Sequence, residues 1–240
     1  MDIRVIAPVT SQECEARAFE QYSAGARRDT RISTVLLERG PASIESAYEE
    51  MLAAPGVLAQ ILEAEREGMD AVISNCMADP GVAAGREIAS IPVIGPAEAS
   101  MHLAAMLGER FSVVTVLERL IPALRRCAHA SGLSQQLASV RAVNIPVLEL
   151  TDRTRAATAL VHEAIRAVQD DGAHVIVLGC TGMAGLAGAV QQGLAQAGIN
   201  DVPVVDPAMA ALKITEALVD MGLSHSKSSW VDVDDTGGGV

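Results

Sequence analysis

DAVISNCMADPG at residues 70–81 and AHVIVLGCTGMAG at residues 173–185 decide how this chain folds. Each is a short continuous apolar run, as in a strand buried on both faces, followed by one cysteine and a glycine-containing turn. Each leads through a helical segment to a second signature, IPVIGPA at 91–97 or VPVVDPA at 202–208, with its prolines four residues apart. Cys76 and Cys180 are 104 residues apart. Two opening strands, IRVIAPVTS from Ile3 and FSVVTVLER from Phe111, are 108 apart. The simplest account is one α/β half written twice, with one cysteine in each copy.

Working outward, strands are predicted at 3–7, 32–36, 71–74, 93–94, 111–116, 139–143, 175–178 and 204–205. Segments of helical period lie between them. Ala157, Leu160, Val161, Ala164, Ile165 and Val168 share one helical face, capped by Thr151 or Asp152. Ile44, Ala47, Tyr48, Met51 and Leu52 show the same spacing, and Pro55-Gly56 is expected to break that helix. This alternation predicts an α/β fold of two similar lobes, each a mainly parallel sheet flanked by helices. The lobes are expected to be related by a pseudo-twofold axis, with the site between them. The first lobe is read as 1–95 plus 207–223, the second as 96–206, and 224–240 as a frayed tail.

Composition narrows the function. The chain has 240 residues, 18 Lys+Arg against 30 Asp+Glu, a net charge of -12 and 2% aromatic residues. It lacks the positive field and stacking surface of a nucleic-acid binder, and anionic membranes would repel it. The start, MDIRVIAPVT, has no basic segment or long apolar core of a secretory signal. Four cysteines without CxxC spacing do not form a disulfide framework, so a reducing cytoplasm is the expected compartment. The nearly uncharged run 173–190 reaches membrane-span length. Its glycines make it read instead as a strand, a tight turn and a helix start.

In an open α/β sheet, ligands bind beyond the carboxyl ends of the strands. Cys76 and Cys180 both fall there, each at what reads as a helix start that would favour a thiolate. Facing each other across a cleft, two thiols can invert a carbon: one removes its proton and the other supplies a proton to the opposite face. Backbone N–H groups of the two turns are the candidate donors to the carbanion.

The bland alternative is that a free cysteine is inert packing, and Cys14 and Cys127, inside helical segments, keep that reading. The five histidines lack metal-ligand spacing, so no metal is expected. No P-loop or GxGxxG is present, and Lys213 has no glycine loop nearby, so no cofactor is indicated. Gly182, Gly185 and Gly188 read as close helix packing before a phosphate cradle. Thr10-Ser11 reads first as a helix cap and second as a ligand contact; Thr115, at the matching place in the second half, has the same two readings.

ISNCMADPG and LGCTGM, with GPASIES at 40–46 and IGPAEAS from Gly95, resemble the aspartate/glutamate/hydantoin racemase superfamily over nearly all of residues 2–222. The resemblance implies a cofactor-independent racemase with Cys76 and Cys180 as its catalytic pair. Gly179-Cys180-Thr181-Gly182-Met183 is similar to the GCxGM of the hydantoin and allantoin racemase branch, whereas Met77 stands where that branch carries Phe. The family's substrate contacts fall on Pro8, Ser43, Ile44, Asn75, Thr115, Thr181, Gly182 and Met183. It implies a small-molecule substrate and a homo-oligomer. Other members of the superfamily leave alternatives. Arylmalonate decarboxylase-like proteins keep only the second cysteine, against the two present here. A maleate-isomerase-like cis–trans isomerase keeps both, and a non-catalytic binder on the same fold is the reading from another class.

Overall fold

The computed structural model describes residues 1–231. In the first half, β1 (Asp2–Ala7), β2 (Arg31–Leu36), β3 (Ala71–Ser74) and β4 (Val93–Ile94) pair in the order β2-β1-β3-β4. In the second, β5 (Phe111–Thr115), β6 (Leu137–Ala142), β7 (Val175–Leu178) and β8 (Val204–Val205) pair as β6-β5-β7-β8. Every pairing is parallel. The central strands β3 and β7 are buried along their whole length, which is why they read as unbroken apolar runs. The two lobes of the expected α/β fold are therefore present, with the same strand order.

Helices α1 (Gln12–Gly25), α2 (Ala47–Arg66) and α3 (Val82–Ile88) belong to the first half, and α5 (Ile121–Ala130), α6 (Arg153–Gln169) and α7 (Ala187–Gln196) to the second. Helix α4 (Pro96–Leu107) follows β4 and α8 (Pro207–Asp220) follows β8. α4 packs on β7 and α5, α8 packs on β3 and α1, and the two pack on each other. This exchange of helices joins the lobes. The interior is mainly apolar, with Ile3, Ile6, Tyr22, Ile61 and Ile73 fully buried in one half and Phe111, Leu160, Ile176 and Leu178 in the other.

The 173–190 run resolves into β7, a short 3-10 turn at Thr181–Met183 and the start of α7. Among the described residues no helix is long and apolar enough to cross a membrane. Asp152 caps α6 by accepting the Arg155 N–H.

Two expectations are corrected. α2 runs straight through Pro55-Gly56. The carbonyl that Pro55 deprives of a donor belongs to Met51, which is 70% exposed, so water can satisfy it. The buried face is Ala53, Val57, Ile61 and Ala64, while Tyr48, Met51 and Leu52 face outward. The frayed tail is corrected for its described part. The Ser224 hydroxyl donates to the Ser90 carbonyl, and His225 Nε2 accepts the Val93 N–H at 2.9 Å. Lys227 Nζ donates to the carbonyls of Arg86, Glu87 and Ala89, and the Arg86 guanidinium lies 5.4 Å from the Trp230 ring. The segment covers the open edge of β4, where an unpaired N–H would be a liability. The rest of the expected tail, 232–240, lies outside the described residues.

Candidate active site

Each sheet delivers its cysteine at the carboxyl end of a central strand, β3 for Cys76 and β7 for Cys180. The first turn is tied down locally: the Ser74 hydroxyl donates to the Pro80 carbonyl at 2.8 Å, and the Asp79 N–H to the Cys76 carbonyl at 3.0 Å. In the second, Cys180 directly precedes the Thr181–Met183 turn, and the Met183 N–H returns to the Cys180 carbonyl at 2.9 Å. A side chain at Gly179 would meet the Thr115 Cα at 2.9 Å, so glycine lets the strand end pass close to β5. The Thr115 hydroxyl donates to the Gly179 carbonyl at 3.1 Å.

The turns meet. The Thr181 hydroxyl donates across the lobes to the Asn75 carbonyl at 3.2 Å, and the Asn75 amide oxygen accepts from the Tyr22 hydroxyl at 3.0 Å. Each cysteine is thereby held beside a residue bonded to the other turn. Two adjoining hollows share Ile44, Cys76, Cys180 and Thr181 on their walls. The larger holds about 590 Å³ of empty space counting its open mouth, and is closed by Pro8, Ser43, Asn75 and Gly182 among others. The smaller is lined by Met77 and Thr115 with apolar neighbours. The structure thus gathers nine of the ten residues singled out from sequence onto one cleft. Met183 is apart: it is fully buried among the second-lobe core residues and lines neither hollow. Thr10 donates to the Pro41 carbonyl, and the cap of α1 is Ser11.

The expected electrostatics of the thiols are corrected. No regular helix begins at either cysteine; α3 starts at Val82 and α7 at Ala187. Burial dominates instead, pushing Cys180 up to about 11 and Cys76 still higher. The Ala78 N–H, 3.5 Å from the Cys76 sulfur, and the Gly182 and Met183 N–H groups near Cys180 oppose this only in part. Both thiols are therefore protonated at neutral pH, with Cys180 the more readily ionised.

One face of α1 was not anticipated. Cys14, Arg17 and Gln21 all line the larger hollow. Their 3- and 4-residue spacing places them on one side of the helix, a signal the sequence contains but which does not say what that side faces. Cys14 is thus a third thiol on the cleft, whereas Cys127 packs in the second lobe, where burial raises it to about 12. His102, His129, His162 and His174 are exposed, and among the described residues no group of three metal-ligating side chains occurs.

Residues 3–215 match the family model described as Asp/Glu/Hydantoin racemase. The chain is 40% identical over 228 residues to a hydantoin racemase of Pseudomonas sp. (strain NS671), covering 95% of this chain and 89% of that one. It is similar to the solved structure of allantoin racemase from Klebsiella pneumoniae, with 41% identity, a TM-score of 0.87 and coverage of 96% and 92% of the two chains. For allantoin racemase from Pseudomonas fluorescens the identity is 37%, the TM-score 0.90 and the coverage 97% of each chain.

Proposed function

We propose, from the premise that this chain belongs to the Asp/Glu/hydantoin racemase family, that it is a cofactor-independent racemase of a hydantoin-type or amino-acid-derived small molecule, working by a two-thiol proton transfer. The observation that carries the reading is that Cys76 and Cys180 line one cleft from opposite lobes.

In a 5-substituted hydantoin the C5–H is flanked by a carbonyl. One cysteine, as thiolate, takes this proton, and the C–H electron pair passes into the enolate of that carbonyl. Backbone N–H groups of the two turns stabilise the oxyanion. The other cysteine, as thiol, gives its proton to the opposite face of C5. The product is the mirror image, and the two sulfurs have exchanged protonation states. Because Cys180 ionises more readily than Cys76, the thiolate-180/thiol-76 form is the more populated active form. Pro8, Ser43, Ile44, Asn75, Thr115, Thr181 and Gly182 shape the cleft around the substrate; Met183 supports the Cys180 turn from beneath.

The four free cysteines suit a reducing cytoplasm. The outward-facing Tyr48, Met51 and Leu52 of α2 support association with further copies of the chain.

The test is to incubate the protein with a single enantiomer of a 5-substituted hydantoin, or of allantoin, in D2O. Loss of optical rotation together with deuterium uptake at the chiral carbon is the expected result. Ligand-induced thermal stabilisation without exchange across a broad substrate panel would favour a binding protein on this fold instead.

A further inference from the structure

The cleft has an unusual charge inventory for an acidic chain. Among the described residues lining its two hollows, Arg17 alone is charged, and none is a carboxylate. Arg17 shares its helix face with Cys14 and Gln21, and the apolar Val9, Ile44 and Val147 line the same hollow.

Its commitments are few. The Arg17 guanidinium is paired with Glu13, one turn earlier, at 3.0 Å. That carboxylate is 68% exposed, and such a surface pair contributes at most about 1 kcal/mol. A ligand carboxylate in the cleft could replace or share it, gaining a bidentate charge-assisted contact away from bulk water. A second arginine adds to the positive field. Arg153 lies near Arg17, and its guanidinium donates to the carbonyls of Gly182 at 2.7 Å and Ala184 at 2.5 Å. Arg153 is spent on holding the Cys180 turn, which leaves Arg17 as the cation free to meet a ligand. Gln21, on the next turn, is likewise bound to the Ala184 carbonyl at 3.2 Å.

We infer that Arg17 determines specificity in this cleft, selecting a substrate whose substituent at the reacting carbon ends in a carboxylate. The inference rests on the racemase reading for the place of the reacting carbon, between the two thiols. It adds that the substituent extends along α1, past the apolar walls, to the guanidinium.

The experiment pairs two probes of nearly equal size, 5-(2-carboxyethyl)hydantoin and its neutral amide, 5-(2-carbamoylethyl)hydantoin. Binding is followed by calorimetry and exchange in D2O by NMR, for the unaltered protein, Arg17→Met and Arg17→Lys. The expected result is a preference of about tenfold or more for the carboxylate in Kd and KM, the size of one charge-assisted contact. Arg17→Met abolishes that preference, and Arg17→Lys keeps part of it. Equal affinity for the two probes in the unaltered protein, or an undiminished preference in Arg17→Met, overturns the inference. The racemase reading fails separately: if the carboxylate probe binds with the Arg17-dependent preference but exchanges no deuterium, the specificity assignment stands and the proton-transfer chemistry falls.

Discussion

The two lobes solve the same local problem with the carboxylate placed on opposite sides. In both, the turn after the cysteine must be fastened to the start of the helix that crosses to the other lobe. In the first lobe the carboxylate comes from the turn. Asp79 Oδ1 and Oδ2 accept the Ala97 and Glu98 N–H groups of α4, each at 2.9 Å, and glycine stands at the helix cap. A Cβ on Gly95 would lie 2.2–2.5 Å from the Asp79 carboxylate. In the second lobe the carboxylate comes from the cap. Asp206 accepts the Ala208 and Met209 N–H groups of its own helix, and its other oxygen takes the Gly185 N–H of the turn at 2.6 Å. Gly81 and Gly185, five residues after the two cysteines, both have positive φ, of 73° and 82°. Aligned on them, Met183 occupies the place of Asp79; aligned on Pro96 and Pro207, Asp206 occupies that of Gly95. One acid per junction suffices, and whichever partner lacks it is small or apolar. The conserved element of the design is the fastening, not the residue.

The largest effect that would break the symmetry of the lobes is at the thiols. Serine at Cys76 or at Cys180 should each lower racemisation by about 10²–10⁴-fold, followed by optical rotation. Substantial turnover in either variant would end the idea of two equivalent partners.

The fastening comes next. Asp79→Met leaves two N–H groups at the enclosed start of α4 unsatisfied, at about 1–3 kcal/mol each, and puts Met at a backbone position with φ of 50°. Gly95→Ala alone crowds the carboxylate at a similar cost. The double variant Asp79→Met with Gly95→Asp copies the second lobe into the first, and the backbone at 95 (φ -109°, ψ 137°) is close to that at 206 (φ -84°, ψ 120°). It should recover a good part of the Asp79→Met loss in chemical denaturation; no recovery would show the two junctions are not interchangeable. Asp79 also gives the first lobe its own pH dependence. Burial raises its carboxyl from 3.8 to about 7, so the folded state holds a proton the unfolded chain has released. Stability should therefore fall as pH rises from about 4 to about 7, and Asp79→Asn should flatten that slope.

The thiols themselves differ. With Cys180 near 11 and Cys76 higher still, iodoacetamide should label Cys180 several-fold faster. Both rates should climb with pH, because the thiolate is the nucleophile. Peptide mass spectrometry over a pH series reads this directly, and faster labelling of Cys76 would reverse the assignment of the readier base.

The smallest effect concerns the outer edges. At β8, Gln191 alone serves both groups, accepting the Val204 N–H at 3.1 Å and donating to the Val202 carbonyl at 2.8 Å. At β4 the task is divided: Arg86 Nε donates to the Val93 carbonyl at 3.1 Å and His225 accepts the Val93 N–H. Gln191→Ala should thus cost more than His225→Ala, which should lose about 1 kcal/mol in thermal denaturation.

The amino-acid order alone determined the repeat, the eight strands and the placement of Cys76 and Cys180 at strand ends. Unbroken β-branched runs bounded by turn signals fit strands buried on both faces, as in a parallel sheet, and a strand end fixes where its next residue points. Tertiary structure alone decided the acidity of the thiols, because desolvation depends on what the opposite lobe places over them. It also decided that α2 continues through Pro55, that α1 turns Arg17 toward the cleft, and that His225 and Lys227 dock on the first lobe. The first depends on where the Met51 carbonyl meets water, the others on partners more than a dozen residues away in sequence, and periodicity carries no record of which face such partners meet.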